Sequence, residues 1–199
     1  MPKEANRIFW LLAILILTGC WRHTLVQPRA ESLLIEDRKT DISAEKFNQY
    51  LKAAKSKCAI DSAGNISGTG YALETECKDV CSTYLLNREN GIKTDLACAY
   101  DQGIRGVVFS PSCKKLLTYA GYDGPDYTDY YEFRSEIYVY KFHKKSYPAN
   151  SPGVIPGIFS KQWSIAGVVF IDDNHLALKL YDGEHSSEMD YRYAVLDIR

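Results

Sequence analysis

The chain has 199 residues, and its 24 Lys and Arg nearly balance its 25 Asp and Glu, which gives a formal net charge of −1 at pH 7. A nucleic-acid-binding protein would show a basic surplus, so we expect no nucleic-acid partner. The hydrophobic fraction of 46% suffices for a folded core, and the length fits one domain, alone or with a small appendage.

Residues 1–20 have the pattern of a targeting segment. Lys3 and Arg7 give a basic start, and residues 8–17 are all apolar. This run is too short to cross a bilayer as a helix, which takes about 20 residues. Two small residues then precede Cys20.

The stretch Leu17-Thr18-Gly19-Cys20 resembles the lipobox of bacterial lipoproteins. In that family the leader is removed, the cysteine thiol is diacylated and the new amino terminus is acylated. The resemblance implies that residues 1–19 are a signal peptide and that Cys20 carries the lipid. Several acyl chains hold a protein firmly, because each buried methylene adds about 0.8 kcal/mol. The alternative is a buried N-terminal helix that ends in a cysteine.

Trp21 follows the lipobox cysteine. In enterobacterial-type lipoproteins an aspartate at this position retains the protein in the inner membrane, so the resemblance implies the outer membrane and a periplasm-facing protein. The leader carries Lys3, Arg7 and Glu4, a net charge of +1, so the charge of the rest is −1 − 1 = −2. The sequence has no second long apolar run, and we therefore expect an anchored but otherwise water-soluble domain.

Five cysteines remain if Cys20 is lipidated, and an odd number cannot all pair within one chain. They are Cys58, Cys77, Cys81, Cys98 and Cys113. Because the periplasm is oxidising, we expect two disulfides and one spare thiol. Spacing does not determine the connectivity. We favour Cys98–Cys113, followed by Cys58 with Cys77 or Cys81.

Zinc and redox sites are the alternatives for these cysteines. The three residues between Cys77 and Cys81 fit neither the usual zinc-ligand spacing nor a C-x-x-C redox motif. We therefore predict structural disulfides and no metal or other cofactor.

The first half of the chain is predicted to contain a tether and two helices. Residues 20–40 form the tether, of which Leu33-Leu34-Ile35 docks on a single globular domain that spans residues 41–199. In the helical and loop part, residues 41–95, one helix is capped by Asp41 or Ser43 and ends near Cys58. Its apolar stripe consists of Phe47, Tyr50, Leu51 and Ala54. A second helix is expected over residues 73–90, after a turn-rich stretch at residues 62–70.

The remainder, residues 96–199, contains an internal repeat. Residues 104–109 read IRGVVF and residues 165–170 read IAGVVF. Further matches follow with an offset that slides from 61 to 58, namely Tyr122-Asp123-Gly124 with Tyr181-Asp182-Gly183, Phe133-Arg134 with Tyr191-Arg192, and Ile137-Tyr138 with Val195-Leu196. Loops tolerate changes in length and strands do not, so each copy is predicted to be a three-strand meander. Turns fall at residues 110–112 and 172–174.

Each copy resembles one blade of a WD40-like or TolB-like β-propeller, over residues 104–142 and 165–198. A closed propeller needs at least four blades. We therefore predict an α+β fold in which one or two N-terminal helices precede two blade-like antiparallel meanders, without a closed propeller. Two unrelated sheets that share a GVVF strand are the alternative.

The loop at residues 119–133, YAGYDGPDYTDYYEF, carries five tyrosines and four acids. Tyrosine buries a large area and keeps a hydroxyl group available, so such a loop suits protein recognition. The candidate partner-binding residues are Tyr122, Asp123, Tyr127, Tyr130 and Tyr131. The spacing of the aspartates does not match a calcium loop. A solvated loop whose tyrosines pack on the sheet is the alternative.

Enzymatic function would require a different set of residues. A hydrolase could combine Ser186 and Asp182 with His175 or His185, but no serine lies in a glycine-flanked nucleophile elbow. We therefore expect a non-enzymatic lipoprotein that binds another envelope protein, as an immunity or inhibitor protein or in envelope maintenance. A small periplasmic hydrolase that uses His175 or His185 is the alternative.

The lipid anchor makes a direct prediction. A Cys20→Ser variant should accumulate as unprocessed precursor without labelled palmitate, because the acylated thiol is absent. Metabolic labelling in a bacterial host measures this, with a Cys98→Ser variant as a control that keeps the label. Processing and labelling of Cys20→Ser equal to those of the wild type would contradict the prediction.

Overall fold

The structure of the protein is a computed structural model, and the residues that it describes are 33–77, 81–142, 153–154, 157–182 and 190–199. The predicted signal peptide, Cys20 and most of the tether lie outside these residues, as do His185 and Ser186. Within the described part, no helix has the length and apolar character that crossing a bilayer requires.

The described residues are mostly β-strand, with short helices near the start. In chain order the elements are β1 (Leu33–Leu34), α1 (Ile35–Arg38), β2 (Lys39–Asp41), α2 (Ala44–Ala53), β3 (Tyr71–Cys77), β4 (Cys81–Asn87), β5 (Lys93–Asp95), β6 (Gly106–Phe109), β7 (Lys115–Gly121), a 3-10 helix (Tyr127–Asp129), β8 (Ser135–Lys141), β9 (Gly153–Val154), β10 (Ile158–Ser160), β11 (Trp163–Phe170), β12 (His175–Asp182) and β13 (Tyr191–Asp197).

The two predicted meanders are present, and each lies in its own sheet. Strands β6, β7 and β8 form the first, and β10, β1 and β9 extend it into sheet 1. Strands β11, β12 and β13 form the second, and β2 extends it into sheet 2. The strands of each meander are antiparallel, and the strands of the described part form no closed barrel.

Three apolar clusters hold four layers together. Helix α2 packs on the outer face of sheet 2, through Phe47 against Val169 and Ala177. The largest cluster fills the space between sheets 2 and 1. Sheet 3, which consists of β3, β4 and β5, covers the other face of sheet 1, with Leu85 in the same cluster as Leu116. Sheet 1 is therefore an internal layer.

Helix α2 confirms the first predicted helix. The Ser43 hydroxyl accepts a hydrogen bond from the Lys46 backbone N–H at 3.2 Å, which satisfies one free donor of the first turn. The helix ends at Ala53, before the expected end near Cys58. Phe47 is buried, whereas Leu51 is 52% exposed.

The second predicted helix, over residues 73–90, is wrong, because this segment forms the β3–β4 hairpin. Cys77 lies opposite Cys81 at its tip, and Thr75 and Thr83 share a hydrogen bond of 3.1 Å between their side-chain oxygens. Residues four apart lie side by side on a helix, but they also lie side by side across a tight hairpin. The cysteine spacing therefore fitted both structures, and the β-branched residues favoured the strand.

The segment before α2 connects both sheets. Strand β1 pairs with β10 in sheet 1, and β2 pairs with β13 in sheet 2. Between them, Ile35 is fully buried in the largest cluster. Glu36 accepts hydrogen bonds from the Ser160 hydroxyl (2.5 Å) and from the backbone N–H groups of the next two residues (3.1 and 3.0 Å). The predicted docking of residues 33–35 is thus observed, and residues 36–40 also belong to the folded part.

The strand pairing aligns the two copies of the repeat differently from the match of their amino-acid sequences. Leu116 pairs with Tyr140 in the first meander, and Leu176 pairs with Leu196 in the second. Tyr140 is therefore the counterpart of Leu196, to which the sequence match had assigned Tyr138. A shift of two residues leaves every side chain on its own face. The match of Tyr122 with Tyr181 is also displaced, because the turn at residues 110–114 has one residue more than the turn at residues 171–174.

The expected number of disulfides is confirmed, but the favoured pairing is wrong. The bonded pairs are Cys58–Cys113 and Cys77–Cys81, and Cys98 is the spare thiol. Cys113 lies in the β6–β7 turn, where Ser56 donates to the Ser110 carbonyl at 3.1 Å and so brings Cys58 close. Cys98 instead lies near Glu136, toward the opposite end of sheet 1.

The two copies of the GVVF strand offer a matched test of packing. A methyl group on Gly106 would lie 2.4 Å from the Tyr119 ring, whereas one on Gly167 would meet nothing closer than 3.9 Å. We expect Gly106→Ala to lower the free energy of unfolding by about 1 to 3 kcal/mol, because the ring must leave its place against the core. Gly167→Ala should change it by less than about 1 kcal/mol, in either direction.

Urea denaturation of both variants and the wild type measures the difference. Equal effects of the two substitutions would contradict the conclusion that the Tyr119 ring leaves no room for a side chain at Gly106.

Candidate functional site

The tyrosine-rich loop between β7 and β8 is an ordered structure. The 3-10 helix forms its centre, where the N–H groups of Tyr130 and Tyr131 donate to the Tyr127 carbonyl at 3.1 and 2.7 Å. At the loop ends, the Tyr122 N–H donates to the Arg134 carbonyl at 2.9 Å, which prolongs the β7–β8 pairing. The side chains that the loop carries are therefore held in defined positions.

Four aromatic rings of this region contact one another, and we call them the tyrosine cluster: Tyr100, Tyr122, Tyr130 and Tyr131. The Tyr131 ring lies at the centre, with its centroid 4.7 Å from that of Tyr100 and 5.3 Å from that of Tyr122. Tyr130 lies 6.3 Å from Tyr131 and is 67% exposed. The cluster thus has a buried base and an exposed tip.

Tyr100 is the base of the cluster, and no local pattern of residues marks it. Its hydroxyl donates to the Phe133 carbonyl at 2.8 Å, which attaches the segment after β5 to the far end of the tyrosine-rich loop. Burial raises the pKa of Tyr100, with a further contribution from the nearby charge of Glu136. Tyr100 therefore stays protonated and serves as a structural support.

Tyr127, one of the predicted binding residues, is committed to packing. The Arg134 guanidinium lies over its ring, with 4.3 Å from the guanidinium carbon to the ring centroid. Arg134 is buried and donates to the Gly124 carbonyl at 3.0 Å. Removal of the Tyr127 ring would uncover a buried cation, so this position is a poor probe of recognition.

Asp123, another predicted binding residue, connects sheet 1 to sheet 2. It accepts two hydrogen bonds from Arg105, at 2.9 and 2.6 Å, and one from the Tyr181 hydroxyl in sheet 2, at 2.5 Å. Burial alone would raise the pKa of Asp123, but the hydrogen bonds from Arg105 and Tyr181 outweigh it and lower the pKa. Its charge is therefore balanced within the domain.

Glu136 is a buried carboxylate that the sequence analysis did not single out. It accepts hydrogen bonds from the Ala99 N–H at 2.7 Å and from the Tyr138 hydroxyl at 3.3 Å. Burial raises its pKa. Glu136 and Tyr138 lie on the same strand, β8, and the crossing of residues 97–100 supplies the backbone N–H partner. We assign it a role in holding that segment on sheet 1.

The two described residues of the alternative hydrolase, His175 and Asp182, lie far apart. His175 begins β12 and its Nδ1 lies 2.8 Å from a carboxylate oxygen of Asp172, whereas Asp182 ends the same strand. Seven residue steps along a strand correspond to roughly 23 Å. His185 and Ser186 lie outside the described residues.

The described residues include the lining of a small cavity beside Cys98. The volume of this cavity, about 130 Å³, is smaller than the 300–1,000 Å³ that is typical of ligand pockets. The described residues contain no group of three or more His, Cys, Asp and Glu that could hold a metal ion.

Comparison with protein-family models, with curated proteins and with solved structures found no significant match to the chain. The function must therefore be inferred from the residues and their geometry.

The ion pair of Asp123 makes a pH-dependent prediction. Asp123→Asn should lower the free energy of unfolding at pH 7 by about 1 kcal/mol, a modest value because both partners are partly exposed. The folded-state pKa of Asp123 lies below its unfolded value of about 4, so its contribution is full above that pH and is lost on acidification.

The difference between variant and wild type should therefore shrink between pH 7 and pH 3 in urea denaturation. Asp101→Asn, at an exposed turn position, is the control and should have little effect at either pH. A difference that stays constant with pH would contradict an ionised Asp123.

Proposed function

We propose that the protein is a lipid-anchored, periplasm-facing lipoprotein of the outer membrane that binds another protein through the tyrosine cluster. The single observation that carries the binding role is Tyr130, which is 67% exposed at the tip of an ordered aromatic cluster. The lipobox resemblance at Cys20 supports the anchor and, through Trp21, the choice of membrane.

Tyrosine suits this role for physical reasons. A tyrosine offers a large amphipathic surface and loses little side-chain entropy when it is immobilised. Here the immobilisation precedes binding, because Tyr122 and Tyr131 pack against Tyr130 and the backbone beneath them is hydrogen-bonded. A surface that is already ordered reduces the entropy cost of association.

The charge around the cluster favours a basic partner surface. Asp126, Asp129 and Glu132 are exposed beside Tyr130, whereas the charge of Asp123 is balanced by Arg105. Complementary charge speeds association and selects partners. Such a basic partner could be a toxic enzyme that an immunity lipoprotein blocks, or it could be a component of envelope maintenance.

The alternative of a small periplasmic hydrolase has less support. His175 and Asp182 lie at opposite ends of β12, so a catalytic set would have to be built around His185 and Ser186 instead. If the alternative holds, the double variant His175→Ala/His185→Ala loses a hydrolytic activity that the wild type shows.

The binding role is tested at the exposed tip of the cluster. We expect Tyr130→Ser to lose an envelope protein that the wild type captures from detergent-solubilised membranes, by at least tenfold in quantitative mass spectrometry. Leu51→Ser is the matched control, because Leu51 is also a large exposed apolar residue but lies on α2.

The double change of Tyr130 and Tyr131 to Ser extends the test and leaves the Tyr127–Arg134 contact in place, and urea denaturation separates lost binding from lost folding. A list of captured proteins that is the same for wild type, Tyr130→Ser and Leu51→Ser would contradict the proposal.

A further inference from the structure

Three of the five described cysteines lie at one end of sheet 3. Cys77 and Cys81 are bonded across the hairpin tip, with their Cα atoms 4.0 Å apart. Cys98 carries the spare thiol, and it lines the same cavity of about 130 Å³ as Cys81. A thiol and a disulfide that face one small space are the two reactants of thiol–disulfide exchange.

The strand register explains why Cys98 comes to this place. Tyr84 of β4 pairs with Asp95 of β5, and the Leu96 N–H donates to the Thr83 carbonyl at 2.9 Å. Each step back along β4 is therefore matched by one step forward after β5. Three further steps in this register would bring Cys98 opposite Cys81, and the two residues do line the same cavity.

The pairing with β4 ends at Asp95, and the Leu96 N–H makes the last bond to that strand. The Ala97 N–H donates to the Tyr140 hydroxyl at 2.7 Å, and the Ala99 N–H donates to Glu136, so the segment turns toward sheet 1. It then curves back over the hairpin, because a methyl group on Gly103 would lie 3.9 Å from the Cys81 Cβ. Cys81 thus has Cys77 on one side and residues 98–103 on the other, and it remains partly exposed to solvent.

We propose that Cys98 exchanges with the Cys77–Cys81 disulfide within one chain. The Cys98 thiolate attacks the Cys81 sulfur, a Cys81–Cys98 bond forms, and the Cys77–Cys81 bond breaks. Cys77 leaves as a thiolate and takes up the proton that Cys98 released. The step is an isomerisation, with one disulfide and one thiol before and after it, so it needs no oxidant or reductant.

Burial sets the pace of this step. It raises the pKa of Cys98 to about 11, so only a small fraction of the thiol is ionised at neutral pH. Because the thiolate is the attacking species, the exchange rate should rise about tenfold for each pH unit between pH 7 and pH 10. The exchange is therefore slow at rest and fast only where Cys98 becomes more exposed or the pH rises.

The exchange moves a covalent constraint from one place to another. In the described state the disulfide closes the hairpin tip, and Tyr100, two residues after Cys98, supports the tyrosine cluster. In the exchanged state the disulfide would attach Cys98, two residues before that support, directly to β4. The exchange itself does not depend on the proposed binding role, so either can fail without the other.

Mass mapping of the disulfides in the purified chain tests the proposal. Samples incubated at pH 7 and at pH 9 are acid-quenched and alkylated, then cleaved after Lys and Arg and after Glu. Lys78 separates Cys77 from Cys81, and Glu76 separates Cys58 from Cys77. We expect a Cys81–Cys98 linkage with alkylated Cys77, which appears about a hundredfold faster at pH 9 than at pH 7.

Cys98→Ser is the matched control and should retain only the Cys77–Cys81 linkage at this end of the domain. The Cys58–Cys113 linkage should persist in every sample, because neither cysteine faces the cavity. A wild-type map with Cys77–Cys81 and alkylated Cys98 at both pH values overturns the proposal, and so does equal scrambling into all five cysteines.

A second variant tests the attack without competition from Cys77. In Cys77→Ser, Cys81 is first converted to a mixed disulfide with oxidised glutathione. We expect Cys98 to displace the glutathione and form Cys81–Cys98, with a rate that does not depend on protein concentration. Glutathione that stays on Cys81 in this variant as long as it does in Cys77→Ser/Cys98→Ser overturns the proposal.

Discussion

Sheet 1 is buried on both faces, and the arrangement of the other layers depends on this constraint. Leu116 and Leu117 are consecutive residues of β7, and both have no exposed surface. Successive side chains of a strand point to opposite faces, so Leu116 requires a cover from sheet 3 and Leu117 requires a cover from sheet 2. A meander that is apolar on both faces needs a cover on each of them. The two copies have similar sequences but different covers: sheets 3 and 2 lie on the first, and sheet 1 and helix α2 lie on the second.

The part of this fold that the sequence could predict is the part that depends on local pattern. The GVVF strands, their turns and helix α2 are encoded by short apolar runs and capping residues. The β3–β4 hairpin was not predictable in this way, because a four-residue spacing between cysteines fits a helix and a hairpin tip equally well. The disulfide partner of Cys113 was also out of reach, since it is selected by how residues 56–67 cross the end of sheet 1.

The candidate site divides along the same line. The tyrosine-rich loop stood out by composition, and the structure places all five predicted residues in one region. Composition could not provide their separate roles. Arg134 holds Tyr127 from the end of the same loop, whereas Arg105 and Tyr181, which hold Asp123, are 18 and 58 residues away in the sequence. Tyr100 enters the region through the crossing of residues 97–100, which also brings the Ala99 N–H to Glu136, and no local signal marks that path.

The pairing of β2 with β13 has a consequence for how the chain reaches its folded state. Residues 39–41 lie beside residues 194–196, so the second strand of the described part and its last strand are neighbours. During synthesis the N-terminal residues appear first, so sheet 2 cannot be completed until the chain has been made as far as residue 197. Contacts between segments that are distant in the sequence slow folding. The domain should therefore stay incompletely folded, with apolar β-strands uncovered, until β13 is available to pair with β2.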